Sequence, residues 1–116
     1  MHEMGIAMQI AQIAVDSVPK EIENPKIDKI NLKIGKLSGI IANSLTFCFD
    51  IIIKDNPVLN LAKLNIEEIN ITLYCNTCHK TWSISEPVFK CKFCESGSIK
   101  VISGQELDIS SIELFD

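Results

Sequence analysis

The chain has 116 residues and a formal net charge of −4, with 47% hydrophobic and 22% charged residues. This length fits one ordinary domain, or one domain with a small appendage, and the composition excludes a disordered chain. The acidic balance argues against a broad phosphate-binding surface, because such surfaces need an excess of lysine and arginine. We therefore do not expect nucleic acid as a partner.

The chain carries no apolar run long enough to span a bilayer. Its first eighteen residues also lack the positive segment of a signal peptide and carry His2, Glu3 and Asp16 instead. These features predict a cytoplasmic protein with no membrane partner. In a reducing compartment, closely spaced cysteine pairs more often hold a metal than form disulfides.

The first forty residues predict a helix and then a strand. The helix has apolar residues at helical spacing and ends at Pro19, and the strand alternates apolar and polar residues before a turn at Gly35 and Gly39. The apolar positions are Ile6, Ile10, Ile13 and Ala14 in the helix, and Ile30, Leu32 and Ile34 in the strand.

A second helix is predicted after the turn, with Asn43 as its N-cap and an end at Asn56-Pro57. Its predicted buried face consists of Leu45, Phe49, Ile52 and Ile53.

Two extended stretches follow, and each changes phase once. In residues 64–73 the apolar parity slips at Glu67-Glu68, and in residues 107–114 it slips at Ser110-Ser111. Such a slip indicates a bulge or a bend in a strand.

Two cysteine pairs separate these stretches. Cys75 and Cys78 form the first pair, and Cys91 and Cys94 form the second, with twelve residues between the pairs. Each pair, with the short turn between its two cysteines, forms what we call a cysteine hook. Two such hooks can close around one metal ion as a tetrahedron of thiolates. This arrangement indicates zinc, although iron in a rubredoxin-like site has the same ligands. About twenty residues cannot bury enough apolar surface to fold alone, and zinc binding supplies on the order of ten kcal/mol.

Four thiolates leave no open position on the ion, so this site is expected to be structural rather than catalytic. The fifth cysteine, Cys48, is interpreted as a small buried apolar residue.

The first pair also matches the attachment pattern of a c-type haem, because His79 follows Cys78 directly. That chemistry is expected in an exported protein, and it leaves Cys91 and Cys94 unexplained. We therefore interpret His79 as an exposed residue of the first cysteine hook.

The start of the chain offers a second kind of metal site. The Met1 amine, the His2 amide nitrogen and the His2 imidazole can form fused chelate rings around one ion, and Glu3 is a candidate for the remaining position. Nitrogen ligands in a square plane suit nickel(II) or copper(II). An open site of this kind fits a carrier that must release its metal.

Taken together, these motifs resemble the HypA family, the nickel metallochaperones of nickel–iron hydrogenase maturation. The resemblance runs over the whole chain. It rests on Met1-His2-Glu3, Ile34-Gly35-Lys36-Leu37-Ser38-Gly39, the four cysteines, Gly104-Gln105-Glu106-Leu107 and Ser111-Ile112-Glu113.

The resemblance implies an α+β fold. A nickel-binding domain, made of residues 1–74 and 98–116, would hold a small mixed β-sheet with two helices. A zinc-ribbon-like four-cysteine domain would be inserted at residues 75–97. By the same resemblance His2 binds nickel as cargo, with the Met1 amine and Glu3 as further candidates, and Cys75, Cys78, Cys91 and Cys94 bind zinc.

The implied function is delivery of nickel to the hydrogenase large-subunit precursor, together with a HypB-type GTPase, and urease maturation proteins are further candidate partners. Two features depart from the family pattern. Many relatives have a proline and an acidic residue where this chain has Ala42-Asn43-Ser44. Some relatives also have a further histidine in the zinc domain, whereas this chain offers only His79 there. Whether Asn43 or His79 assists nickel stays open from the sequence.

Two other classes of function remain as alternatives. A zinc-ribbon interaction module could bind a protein or nucleic acid without delivering metal, using Lys80, Lys90 and Lys92. An enzyme finds little support, because two histidines and the available spacings form no nucleophile pair, phosphate loop or open three-ligand metal site.

Overall fold

The computed structural model describes residues 2–116 and forms two three-stranded sheets, each with its own core. Met1, whose amine belongs to the predicted nickel site, lies outside the described residues. The elements in chain order are α1 (Glu3–Ser17), β1 (Ile27–Gly35), α2 (Ala42–Ile52), β2 (Lys63–Ile69), β3 (Ile71–Cys75), β4 (Thr81–Ile84), β5 (Ile99–Ser103) and β6 (Leu107–Leu114).

The first sheet has the order β2-β1-β6. β1 and β2 are parallel, and α2 forms the crossover between them, whereas β6 returns antiparallel to β1. The alternation predicted for β1 is confirmed, because Ile30, Leu32 and Ile34 are all buried. These side chains pack with residues of α1 and α2 in one continuous core, so both helices lie on the same face of the sheet.

Helix α1 buries a narrow stripe made of Ala7, Ile10 and Ala14. Ile13, which the sequence assigned to the buried face, is 51% exposed. It precedes Ala14 by one residue, a rotation of about 100° around the helix axis, and therefore lies at the edge of the buried stripe. Ile13 lines a shallow groove between α1 and β6, together with Leu107.

Helix α2 begins at Ala42, so the prediction that Asn43 caps it is wrong. The N-cap is Ile41, whose backbone is extended, and no side chain of α2 caps this end. The amide of Ile41 instead donates a hydrogen bond to the carboxylate of Glu3 on α1, at 3.3 Å. A partner from another helix thus replaces the expected local cap.

The end of α2 also differs from the prediction. The helix ends at Ile52, four residues before Asn56, and turns follow it. The Asn56 side chain accepts hydrogen bonds from the amides of Val58 and Leu59, at 2.9 and 3.1 Å. Leu45, Phe49 and Ile53 are buried as predicted, and Ile52 is half-buried; these four complete the apolar face.

The stretch from residue 64 to residue 73 belongs to two strands rather than one bent strand. β2 pairs with β1 without interruption past Glu67 and Glu68, and the break comes at Asn70. β3 then starts the second sheet. The change of parity therefore marks a transfer between sheets, and its predicted position was wrong.

The slip predicted in the last strand is a true bulge. Asn31 pairs with Ser111, and the next residue of β1, Leu32, pairs with Ile109. Ser110 is the extra residue, and its hydroxyl donates to the Asn31 carbonyl at 3.2 Å.

The second sheet has the order β4-β3-β5, with β3 antiparallel to both neighbours. Its core contains Ile71, Leu73 and Trp82 beside two of the cysteines. The α+β fold class is thereby confirmed. The domain division at residues 75–97 stays a prediction, and the sheet that carries the cysteines runs from Ile71 to Ser103. Within residues 2–116, every helix is too short or too polar to cross a membrane.

Candidate metal sites

The first cysteine hook is a tight turn that leaves β3 at Cys75 and enters β4 after Lys80. The Cys75 amide donates to the Lys80 carbonyl at 3.0 Å, and the His79 amide donates to the Cys75 carbonyl at 2.9 Å. His79 has a positive φ of 64°, which lets the chain reverse within one turn. This turn points Cys75 and Cys78 toward the same side.

The second hook repeats the first one bond for bond. The Cys91 amide donates to the Ser96 carbonyl at 2.9 Å, and the Glu95 amide donates to the Cys91 carbonyl at 3.0 Å. Glu95 has a φ of 66°, which matches His79 in the first hook. These two left-handed positions could not be predicted from the sequence, because neither is occupied by glycine, the residue that usually supplies such a conformation.

The four sulfur atoms meet in one cluster. All four Sγ atoms lie within 4.8 Å of one another, and the Cys75–Cys94 and Cys78–Cys91 pairs are each 3.6 Å apart. A disulfide would need about 2.05 Å. A metal ion about 2.3 Å from each sulfur would set neighbouring sulfurs about 3.8 Å apart in a regular tetrahedron. The donor set therefore fits one tetrahedral ion.

Backbone amides favour thiolate on the first sulfur of each hook. The Cys78 amide, with help from Thr77, donates to Cys75 Sγ at 3.4 Å and lowers the pKa of Cys75 from 9.0 to about 6. At Cys91 burial works against the charged form, but hydrogen bonds from the amides of Cys94 and Phe93 outweigh it and lower the pKa.

Cys94 behaves in the opposite way. The Ser96 amide favours its thiolate, but partial desolvation of its sulfur atom and the neighbouring thiols outweigh that contact and raise the pKa of Cys94 to about 12. Four sulfurs this close cannot all carry a negative charge without a cation among them. The cluster is thus built to exchange protons for a metal ion.

The two cysteines with a lowered pKa, Cys75 and Cys91, belong to the second core. Cys75 and Cys91 are buried, Cys78 is half-buried and Cys94 is exposed. The rings of Trp82 and Phe93 meet edge to face with their centres 6.0 Å apart, and Phe93 lies between Cys91 and Cys94 in the sequence. Metal ligation and the packing of the second core therefore depend on the same residues.

His2 is the N-cap of α1, and its side chain is exposed. Its carbonyl accepts the Ile6 amide at 3.2 Å. Glu3 starts the helix and reaches Ile41, one residue before α2, so the first turn of α2 with Asn43 lies near the start of α1. The Ile41 amide is the main cause that lowers the pKa of Glu3 below 4.5.

His79 is occupied elsewhere. Its Nδ1 atom is hydrogen-bonded to the Tyr74 hydroxyl at 2.6 Å on the first hook. Among residues 2–116, the cysteine cluster is the one group of three or more His, Cys, Asp and Glu side chains arranged to hold a metal. Among the described residues, the four cysteines therefore lie in one cluster, and Glu3 contacts the residue that precedes α2. His79 lies with the cysteines and is not part of the predicted nickel site.

A sequence model of the family described as "Hydrogenase/urease nickel incorporation, metallochaperone, hypA" matches residues 1–114. The chain belongs to the HypA family. Hydrogenase maturation factors HypA from Desulfosudis oleivorans and Desulfatibacillum aliphaticivorans are each 48% identical to it, over 114 and 116 residues. The alignments cover 98% of both chains in the first case, and 100% of this chain and 88% of the relative in the second.

Solved structures of HypA proteins have the same fold. One is the solution structure of the Ni metallochaperone HypA from Helicobacter pylori, with a TM-score of 0.67 and 21% identity over 98% of this chain and 97% of that one. Another HypA solution structure gives a TM-score of 0.72 at 21% identity, covering 99% and 97% of the two chains.

Membership of the HypA family confirms the resemblance drawn from the sequence motifs. It gives the class of function, a nickel metallochaperone of hydrogenase maturation that carries a four-cysteine metal site. A metallochaperone transfers an ion and has no reaction to catalyse, which agrees with the expectation that the protein is not an enzyme.

Proposed function

We propose that this HypA protein binds Ni(II) at the start of the chain and delivers it to the large-subunit precursor of nickel–iron hydrogenase. His2 and the Met1 amine are the proposed nickel ligands, and Cys75, Cys78, Cys91 and Cys94 hold a structural Zn(II). The observation that carries this proposal is the contrast between a closed cluster of four sulfurs and a separate, exposed His2 at the N-cap of α1.

The cysteine cluster supports the zinc assignment. Four thiolates complete the tetrahedron of zinc, so the bound ion has no free position for a ligand from a recipient protein. Cys75 and Cys91 are also buried in the second core, and releasing the ion would disrupt that core. A site of this kind suits an ion that stays bound.

The nickel assignment follows from the chemistry of the chain start. The exposed His2 imidazole is accessible to an incoming ion and to a recipient protein. Amine and imidazole nitrogens suit nickel(II) in a square plane. Both groups must lose a proton to bind, so protons compete with the ion and we expect nickel affinity to fall as the pH drops.

The proposed partners are a HypB-type GTPase and the hydrogenase precursor, and urease maturation proteins are a second class of recipient. The family description, which names both hydrogenase and urease, supports this choice. The proposed location is the cytoplasm, where thiols stay reduced, and the five free cysteines support it.

The nickel and zinc content of purified protein tests the proposal. The protein must start at its own Met1, because a tag would move the amine. We expect one tightly held zinc in wild type, in His2→Ala and in a variant with one residue added before Met1. Nickel binding should be strongly weakened in the two variants and unchanged in His79→Ala, which removes the other histidine. Equal nickel uptake by all four proteins would disprove the site.

A second candidate function is a zinc-ribbon interaction module that binds a protein or nucleic acid without delivering metal. It is favoured by Lys80 and Lys92, whose amines lie 4.6 and 5.2 Å from the centre of the exposed Phe93 ring. Salt-sensitive binding of nucleic acid, with no nickel bound at His2, would support this alternative.

A further inference from the structure

Helix α2 begins with an amide that its own sequence leaves without a partner. Its N-cap is Ile41, a residue with no polar side chain, and its first turn contains no acidic residue. In many helices an acidic side chain three residues inside the helix accepts the N-cap amide. Here that position is Ser44, and no hydrogen bond joins it to Ile41 in the described structure.

Glu3 of α1 takes over this role from 38 residues away. Its Oε2 atom accepts the Ile41 amide at 3.3 Å. Glu3 also lies in the first turn of α1, so one carboxylate serves the N-terminal ends of two helices. Each of these ends carries a partial positive charge, which an anion stabilises.

The contact fixes the position of His2. Glu3 follows His2 directly, and His2 is the N-cap of α1, so the contact with Ile41 holds the beginning of the chain against the start of α2. We propose that Glu3 is a positioning residue for the nickel site, acting through the Ile41 amide rather than as a nickel ligand. This inference rests on the proposed function, because it assumes that nickel binds at His2.

Two substitutions, each with a matched control, separate positioning from ligation. Ile41→Pro removes the amide hydrogen and leaves Glu3 intact, and it requires the φ of −92° at Ile41 to shift by only about 30° toward the value of about −65° that proline imposes. Ile41→Ala is its control, because it keeps the amide and removes a side chain that is 62% exposed. Glu3→Ala removes the acceptor, and Glu3→Gln keeps an acceptor oxygen without the charge.

Nickel affinity is measured by titration calorimetry for each variant, with zinc content and circular dichroism as checks on folding. We expect Glu3→Ala and Ile41→Pro each to weaken nickel binding about three- to tenfold, the effect of losing one hydrogen bond. The double variant should be no weaker than either single one, because both remove the same contact. Ile41→Ala and Glu3→Gln should stay near wild type.

Weakened binding in both Glu3 variants with unchanged binding in Ile41→Pro would show that Glu3 is a ligand, and would overturn the inference. Unchanged binding in every variant would overturn it as well. If wild type does not bind nickel at His2, the proposed function fails separately. The positioning contact is then tested without metal, by the exchange rate of the Ile41 amide. Exchange should accelerate in Glu3→Ala and stay slow in Glu3→Gln, and equal rates would disprove the contact.

Discussion

Gly35 and Gly104 approach each other so closely that no side chain fits between them. A Cβ atom on Gly35 would overlap the backbone C and O atoms of Gly104 and would lie 2.5 Å from the Gln105 nitrogen. Backbone hydrogen bonds surround this contact. The Gly35 amide donates to the Glu106 carbonyl at 2.8 Å, and the Leu37 amide donates to the Gly104 carbonyl at 2.6 Å.

This contact joins the two sheets. Ile34 is buried in the first core, and Leu37, three residues later, packs against the second core. The Lys36 amide donates to the Ile69 carbonyl at 3.0 Å, just before the chain crosses from β2 to β3. The sheet that carries the cysteines is therefore held to the main sheet by backbone hydrogen bonds at each crossing.

Gly35→Ala should destabilise the protein strongly, because the new methyl group meets backbone atoms that cannot move aside. We expect a loss of about 3 kcal/mol in the free energy of unfolding, at the upper end for overpacking. The measurement is urea denaturation followed by circular dichroism.

Gly5→Ala is the matched control for this prediction. A Cβ at Gly5 has no neighbour within 4 Å, and Gly5 lies inside α1, so alanine should stabilise the protein by about 0.5–1 kcal/mol. Equal stability of the two alanine variants would contradict the close approach of Gly35 and Gly104.

The junction shows how far the sequence predicts the fold. Alternation identified β1, and the change of phase at Ser110 identified a real bulge. The same kind of phase change at Glu67-Glu68 misplaced the break that lies at Asn70, because periodicity reports which side chains are buried and not which sheet buries them. The approach of Gly35 to Gly104 depends on long-range pairing, which no local pattern records.

The metal sites divide in the same way. The cysteine cluster is predictable because each pair lies within one short hook, and the structure brings both hooks together. The hydrogen bond between Glu3 and Ile41 joins residues 38 positions apart, so no local pattern predicts it. The absence of a capping side chain at the start of α2 is the one feature that points to a distant partner. The expectation that Asn43 caps α2 failed because a carboxylate from α1 serves the same end of the helix.

Glu95→Gly should stabilise the second hook. Glu95 adopts a left-handed conformation at φ 66°, which costs a side-chain-bearing residue about 1–2 kcal/mol. Glycine avoids this cost but loses about 0.5–1 kcal/mol in entropy, so we expect a net gain of about 0.5–1 kcal/mol. Removing the Glu95 side chain should cost little stability, since its salt bridge with Lys90 is 3.9 Å long and exposed. Thermal unfolding of the metal-loaded protein measures the gain.

His79→Gly is the comparison for that prediction. His79 has the same left-handed conformation, with φ 64°, but its ring is hydrogen-bonded to the Tyr74 hydroxyl at 2.6 Å. We therefore expect a smaller gain than in Glu95→Gly, or none. A Tyr74→Phe background removes this hydrogen bond and should make the two glycine substitutions equivalent. A stability loss in Glu95→Gly would show that the left-handed turn carries no strain.

Two phenylalanines of α2 give a test of the first core. Phe49 is 0% exposed and Phe47 is 67% exposed, although both belong to the same helix. Phe49→Ala should lower the free energy of unfolding by about 3–5 kcal/mol, the usual cost of emptying a buried aromatic site. Phe47→Ala should change it by no more than about 0.5 kcal/mol. Similar losses in both variants, measured by urea denaturation, would place the buried face of α2 elsewhere.

Metal removal should loosen the second core and leave the first one folded. Trp82 is the one tryptophan of the chain, is 6% exposed and packs with Cys75 and Cys91, so its fluorescence reports on the second core alone. On treatment with a chelator we expect its emission to shift to longer wavelength, while helical circular dichroism from α1 and α2 persists. The shift should occur at a lower chelator concentration when the pH is lower, because protons compete with metal for the thiolates.

Cys91→Ser should show the shifted emission without chelator, whereas Cys48→Ala should keep the metal and the native emission. Emission unchanged after complete metal loss would refute the dependence of this core on its ion.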